Sequence, residues 1–242
     1  MSYQRPDGRV ADQLRPLKFT PGFIEWSDGS ILIEAGKTKV ICVATIQDGV
    51  PRWLRGQGYG WVTAEYSMLP SATPERTVRE AIKGKQGGRT VEIQRLVGRS
   101  LRSVVDLRAL GDRTVWVDCD VIQADGGTRC ACVTGAYVAI YLALAELVDK
   151  DYIREIPIED SLAAVSVGIL EGEPVLDLDF EEDSSAEVDM NVVMTGAGNL
   201  VEVQATAEKA VFSRDMLDRL LDLAAGGIER IMAEQLKVTA SR

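Results

Sequence analysis

The stretch VIQADGGTRCACVTGA, residues 121–136, decides the reading of this chain. It begins with the alternation of a strand, breaks at Gly126 and Gly127, sets Thr128 and Arg129 at the break, and continues as small and apolar residues at helical spacing. A strand that ends in glycines ahead of a helix exposes backbone N–H groups, and the helix N-terminus adds partial positive charge. The turn can therefore receive an anion, to which Arg129 would add a two-pronged bond. Taken alone, GGTR is more often an ordinary strand-to-helix turn with a surface arginine. It is not a P-loop, because the spacing and the lysine of GxxxxGK[ST] are missing.

Working outward, RTVWVDCDVIQ alternates Val115, Val117, Cys119 and Val121 as a strand, and GTRCACVTGAYVAIYLALAELVDKD reads as a long buried helix. Upstream, SILIEAGKTKVICVATIQDG forms a hairpin turning at AGKTK, and QGYGWVTAEYSML adds a strand. PSATPERTVREAIKGKQGG is then a polar loop of about twenty residues, a length that often signals function. From Thr90, VEIQRLVGRSLRSVVDL sets Ile93, Leu96, Val97, Leu101, Val104 and Val105 at helical spacing, with arginines opposite.

The second half repeats the rhythm. SLAAVSVGIL, EPVLDLDF, MNVVMTGAG and LVEVQATA read as strands. SRDMLDRLLDLAAGGIERIMAEQLKV reads as an amphipathic helix with Ser213 as N-cap and Asp215 in the first turn. No Pro/Ser-rich linker separates the halves. The expectation is one α+β domain, 1–242, of two similar strand-strand-helix halves with mixed β-sheets packed with helices.

Composition bounds the chemistry. The 242 residues carry a formal net charge of −10, which argues against a general nucleic-acid coat and leaves room for a local basic site. Arg76, Arg79, Arg89, Arg95, Arg99 and Arg102 form such a cluster. Histidine is absent, which excludes His-based triads and most zinc sites. Cys42, Cys119, Cys130 and Cys132 lack metal-ligand spacing and read as reduced structural thiols, which fits a cytoplasmic location. No secretory signal and no apolar run of the ~20 residues that span a bilayer is expected.

Three further features bear on function. In GGRTVEIQRLVGRSLR, Arg89 follows Gly87 and Gly88 at a helix start, so it can reach the same anion as Arg129 from a second element; a solvated helix face is the plainer alternative. In DLDFEEDSSAEVDMN, Asp183, Glu187 and Asp189 can converge on a hard cation such as Mg²⁺. Glu187, Asp189 and Asn191 share a face if EVDMN is a strand, although an acidic run is usually a solvated loop. Arg76 and Arg79, beside Lys83 and Lys85 in the long loop, can hold a single-stranded nucleic acid by its backbone, or serve solubility or subunit contacts.

Taken in order, the strings RPDGR, IEAGKTKVIC, GWVTAEYSMLP, GRTVEIQRLVGRSLR, WVDCDVIQADGGTR, TGAYVA, EEDSSAEVDMNVVMTG and VEVQATAE resemble the bacterial ribonuclease PH family over essentially the whole chain. The resemblance implies a phosphorolytic 3′-to-5′ exoribonuclease: inorganic phosphate attacks the last phosphodiester of an RNA 3′ end and releases a nucleoside 5′-diphosphate. It implies phosphate binding by Arg89, Gly127, Thr128 and Arg129, and metal binding and catalysis by Asp183 and Asp189, with Mg²⁺ as the cation. It also implies RNA contacts from Arg76 and Arg79, trimming of precursor tRNA, and a homo-oligomer, a hexameric ring built as a trimer of dimers. Two positions depart from the pattern: Ser71 stands where an arginine is common, and Ala205 replaces a glycine. A non-catalytic ring subunit and a hydrolytic metal nuclease are the alternatives. The first would be marked by loss of the arginines or aspartates, and the second leaves the arginine turns without a role.

Overall fold

The computed structural model describes residues 3–240; residues 1, 2, 241 and 242 of the expected 1–242 span lie outside the described residues. Strands β1 (Leu17–Pro21), β2 (Gly29–Ala35) and β3 (Thr38–Asp48) lead through a 3-10 turn at Arg52–Leu54 to β4 (Trp61–Met68). Helices α1 (Glu80–Lys83), α2 (Gly88–Arg102) and α3 (Leu107–Leu110) precede β5 (Arg113–Gln123) and the long helix α4 (Thr128–Asp149). The remainder runs β6 (Leu162–Leu170), β7 (Glu173–Leu176), α5 (Phe180–Ser185), β8 (Val188–Thr195), β9 (Leu200–Ala207) and α6 (Arg214–Thr239).

The first sheet has the order β1-β2-β3-β5-β4 and is mixed, since only β4 and β5 run parallel. A parallel pair cannot be closed by a tight turn, and the crossover through α2 and α3 supplies the connection. The second sheet, β7-β6-β8-β9, is antiparallel throughout. Both halves run strands then helix, as the sequence indicates; the crossover belongs to the first half alone.

Alternation along β6 shows how the layers stack. Leu162 and Ala164 join the core around α4 and the first sheet, whereas Ala163, Val165, Val167 and Ile169 pack with Leu220, Ala224, Ile228 and Ile231 of α6. Thus α2 and α4 lie between the sheets and α6 covers the far face of the second. All nine residues of β6 are buried because both faces are covered. On β8, Val188, Met190 and Val192 face α6, which leaves Asp189 and Asn191 on the face toward α4.

Several expectations are corrected. Residues 128–149 are long and apolar enough to cross a membrane by composition, contrary to the sequence reading, but α4 packs against β2, β3, β5 and β6 and most of it is buried inside the protein. Helix α2 starts at Gly88, before Thr90, and ends before Val104 and Val105, which are buried beyond it. The long loop contains α1, held to α2 by Glu80, whose Oε1 accepts from the Gly87 N–H at 3.1 Å and the Thr90 hydroxyl at 2.8 Å. EPVLDLDF is a strand only over residues 173–176, and the acidic run that follows opens as helix α5. Ala205 lies within β9 opposite Met190 and is absent from the residues with positive φ, so replacing the glycine introduces no backbone strain.

Candidate active site

The N-termini of α2 and α4, the short helix α5 and one face of β8 build the site. At the start of α4, Gly126 and Gly127 take φ of 76° and 64°, conformations that L side chains adopt at a cost. Space excludes a side chain there as well. A Cβ on Gly126 would lie 2.6 Å from the Asp179 carbonyl carbon, and one on Gly127 would lie 2.8 Å from an Arg15 nitrogen. Gly126 thus lets the turn lie directly against the start of α5, and Gly127 leaves room for the Arg15 guanidinium.

Arg129 reaches across from α4: its Nη1 donates to Gln204 Oε1 on β9, and its Nη2 lies 3.5 Å from Glu92 Oε2 on α2. Thr128 is buried and its hydroxyl has no partner. Arg89, the second residue of α2, is exposed and near enough to Asp183 for its charge to oppose the upward shift of that carboxyl. Asp183 is carried by α5, which is closed by a capping box: Asp179 Oδ1 accepts from the Glu182 N–H at 3.0 Å and Glu182 Oε2 accepts from the Asp179 N–H at 3.1 Å.

Asp189 comes from β8. Burial, and then the Asp183 charge, push its carboxyl up to about 6, against the pull of Arg129. Its Oδ2 accepts from Asn191 Nδ2 at 3.4 Å, and Asn191 Oδ1 accepts from the Cys130 thiol at 3.2 Å. Asp183 is likewise raised, by burial first, with Arg89 and Arg129 opposing. Glu187 does not join them, since its Oε1 accepts from the Gly172 N–H at 3.2 Å.

The unpaired atoms concentrate here. Seven buried side-chain oxygens among the described residues lack a hydrogen bond, and four of them belong to Tyr66, Glu92, Thr128 and Asp189 around this site. Leaving such a group unpaired costs about 1–3 kcal/mol, and a ligand that supplies partners recovers it. The donor set fits a hard cation at Asp183 and Asp189: an oxygen of Asp189 is buried and free, and two carboxylates crowd each other. No cluster of three or more His, Cys, Asp or Glu occurs among the described residues, so substrate phosphate oxygens and water would complete the coordination.

Two groups of residues at the site escape sequence reasoning. Arg15 Nη2 and Nε donate to the two oxygens of Asp177 at 2.7 and 3.1 Å, and its Nη1 donates to the Asp125 carbonyl at 2.6 Å. Arg5 grips Glu182 with two bonds of 2.7 Å. The arm preceding β1 therefore ties the glycine turn to α5. Tyr66 and Glu92 are also missed, because one reads as strand core and the other as a helix face. Beside Arg89, a cleft of about 780 Å³ is lined by Tyr66, by Arg79, Lys83 and Lys85, and by the carboxylates of Glu65, Glu80, Asp118 and Asp120; Arg76 stands exposed outside it.

Arginines and helix N-termini opposite two crowded carboxylates suit a reaction between anions. Residues 13–146 match the model of the 3′ exoribonuclease family, domain 1, and residues 160–227 that of domain 2. The chain belongs to this family. It is similar to ribonuclease PH of Syntrophomonas wolfei (58% identical over 232 residues, 96% of this chain and 97% of that protein). Ribonuclease PH of Bacillus subtilis is likewise 58% identical, over 97% of this chain and 96% of its own length. Among solved structures, the Archaeoglobus fulgidus exosome with RNA bound to the active site superposes with TM-score 0.80 at 23% identity, over 96% of this chain and 92% of the other. An archaeal exosome core gives 0.75 at 22% identity, over 97% and 91%. At these identities the structures share the fold.

Proposed function

We infer that the chain removes 3′-terminal nucleotides from RNA with inorganic phosphate as the attacking reagent. It is a phosphorolytic 3′-to-5′ exoribonuclease that trims precursor tRNA ends, a reversible nucleotidyl transfer. The observation that carries the reading is the convergence of Arg89, Thr128 and Arg129 on one side with Asp183 and Asp189 on the other.

Nucleophile and substrate are both anions, so the site must gather negative charge before reaction. Arg89, Arg129 and the amides after Gly127 hold the phosphate, and Arg129 is already set in place by Gln204 and Glu92. One phosphate oxygen attacks the terminal phosphorus, the bond to the neighbouring 3′ oxygen breaks, and the released nucleotide keeps both phosphoryl groups as a 5′-diphosphate. The shortened RNA retains its 3′ hydroxyl after taking up a proton. The attacking phosphate is already ionised near neutral pH, so the lack of histidine is no obstacle. Asp183 and Asp189 would hold Mg²⁺, which supplies positive charge to the scissile phosphate and the leaving 3′ oxygen.

The reading extends to assembly as a hexameric ring, a trimer of dimers, that gathers the Arg76 and Arg79 loops of several chains around the RNA, and to a cytoplasmic location. Four buried free thiols support the latter. A hydrolytic nuclease would leave Arg89 and Arg129 without a task. The test is incubation with RNA, Mg²⁺ and phosphate followed by product identification. Nucleoside diphosphates formed only with phosphate are expected; monophosphates, or equal activity without phosphate, overturn the reading.

A further inference from the structure

We propose that the hydroxyl of Tyr66 is a further ligand of the attacking phosphate, donating a hydrogen bond to it between the N-termini of α2 and α4. The proposal rests on the phosphorolytic reading and adds a residue that the arginines and the glycine turn do not supply.

Alternation along β4 sends Val62, Ala64 and Tyr66 toward the helices that cover the sheet, and Tyr66 is only 5% exposed. Its ring borders the cleft that Arg89 also lines. Burial and Cys132 raise the phenol pKa, while Thr128 and Arg89 pull it the other way, which locates the hydroxyl among these three residues. Thr128 and Cys132 are one turn apart on α4. The ring therefore lies along the first turn of that helix, with its oxygen at the end where the backbone N–H groups are unpaired.

Thr128 and Arg89 lie close enough to the phenol to act on it as hydrogen-bonding neighbours, yet neither the Tyr66 nor the Thr128 hydroxyl has a partner at hydrogen-bond geometry in the protein. If the ring served packing alone, phenylalanine would fill the same space without leaving a buried oxygen unpaired. A tetrahedral oxyanion resolves the deficit. It has acceptor oxygens for both hydroxyls as well as for the two guanidinium groups, and a phenol kept protonated by burial can only donate to an anion. Bonds of this charge-assisted kind are roughly twice as strong as neutral ones.

The experiment is Tyr66→Phe, read in three ways on the full-length protein: melting temperature without phosphate, melting temperature across a titration of inorganic phosphate, and steady-state kinetics with a fixed RNA. The expected result is a phosphate-free melting temperature equal to or above that of the wild type. Phosphate-induced stabilisation should be weaker, and KM for phosphate should rise about tenfold with KM for RNA unchanged. Unchanged phosphate affinity in a stable variant overturns the proposal. A lower melting temperature with unchanged phosphate affinity also overturns it, because it assigns the hydroxyl a structural partner. Failure of the phosphorolytic reading would appear separately, as wild-type protein yielding no phosphate-dependent product, and the phosphate titration would still report on Tyr66.

Discussion

At Asp189 the proposed catalytic role and the stability of the fold meet in one carboxyl. Its carboxyl is raised from 3.8 to about 6 because burial and Asp183 disfavour the charge. A group raised in the folded state holds its proton there at pH values where the unfolded chain has lost it. The contribution of Asp189 to stability without a bound cation is therefore greatest below about 4 and declines as pH rises through about 6. At about 1.36 kcal/mol per unit the full shift is worth roughly 3 kcal/mol, discounted because Asp189 is partly accessible. Asp189→Asn should raise the urea midpoint at pH 7.5, narrow the gap between midpoints at pH 5 and 7.5, and cut the phosphorolysis rate at least a hundredfold while RNA binding persists. Full activity across a range of Mg²⁺ concentrations would remove Asp189 from catalysis. Arg129 makes the complementary case. It is held by Gln204 and Glu92 in a pose that leaves other N–H groups of its fork for an anion. Arg129→Ala should raise the phosphate concentration for half-maximal rate by about tenfold or more, measured at saturating RNA, and an unchanged dependence counts against the assignment.

Among the elements, those with period carried their identity in the sequence. Strand β5 and helices α2 and α4 follow from alternation at Val115 to Val121 and from helical spacing at Ile93 to Leu101, because one-sided burial enforces those periods. Helix α5 has no apolar stripe, being six residues of an acidic run. Its signal was the Asp179-x-x-Glu182 pairing of a capping box, which the surrounding carboxylates obscure. The arm carrying Arg5, Arg9 and Arg15 was illegible for another reason. Its partners, Asp177 and Glu182, lie more than 160 positions away, so no local pattern announces them. At the site, residue types and helix starts pointed to Arg89, Thr128, Arg129, Asp183 and Asp189, while Glu187 turned to Gly172 because it precedes β8 by one position. The arm has a measurable role. Arg15→Ala leaves Asp177 as a buried charge without its main partner and should cost about 3–5 kcal/mol in chemical denaturation. Arg15→Lys should recover only part of this, because an ammonium cannot span both Asp177 oxygens and the Asp125 carbonyl. Equal stability of Arg15→Ala and wild type would show that the turn and α5 hold together without the clamp. The same pair sets an acid limit. Although burial opposes it, Arg15 holds the Asp177 carboxyl below its usual 3.8, so its contribution is present above that value and is lost as pH falls beneath it.

At the scale of the whole molecule, a net charge of −10 opposes RNA binding except where basic residues gather. Arg79, Lys83 and Lys85 line the cleft beside Arg89 and Arg76 stands exposed outside it, but Glu65, Glu80, Asp118 and Asp120 line the same cleft, so a single chain gathers little net positive charge there. A ring would bring the Arg76 and Arg79 loops of several chains together, and the hypothesis separates binding of the RNA body from chemistry at its 3′ end. Light scattering under assay conditions should give a mass several times 26.4 kDa. Reversing both loop charges, Arg76→Glu with Arg79→Glu, should then leave phosphorolysis of a three- or four-nucleotide RNA near the wild-type rate while raising KM for a tRNA precursor about tenfold or more. The salt dependence of that KM should flatten, since each lost phosphate contact on a single strand lowers the log-log slope by about 0.7. An equal loss on short and long RNA would assign the loop to the reaction itself. A monomer that is fully active on the precursor would remove the ring from the argument.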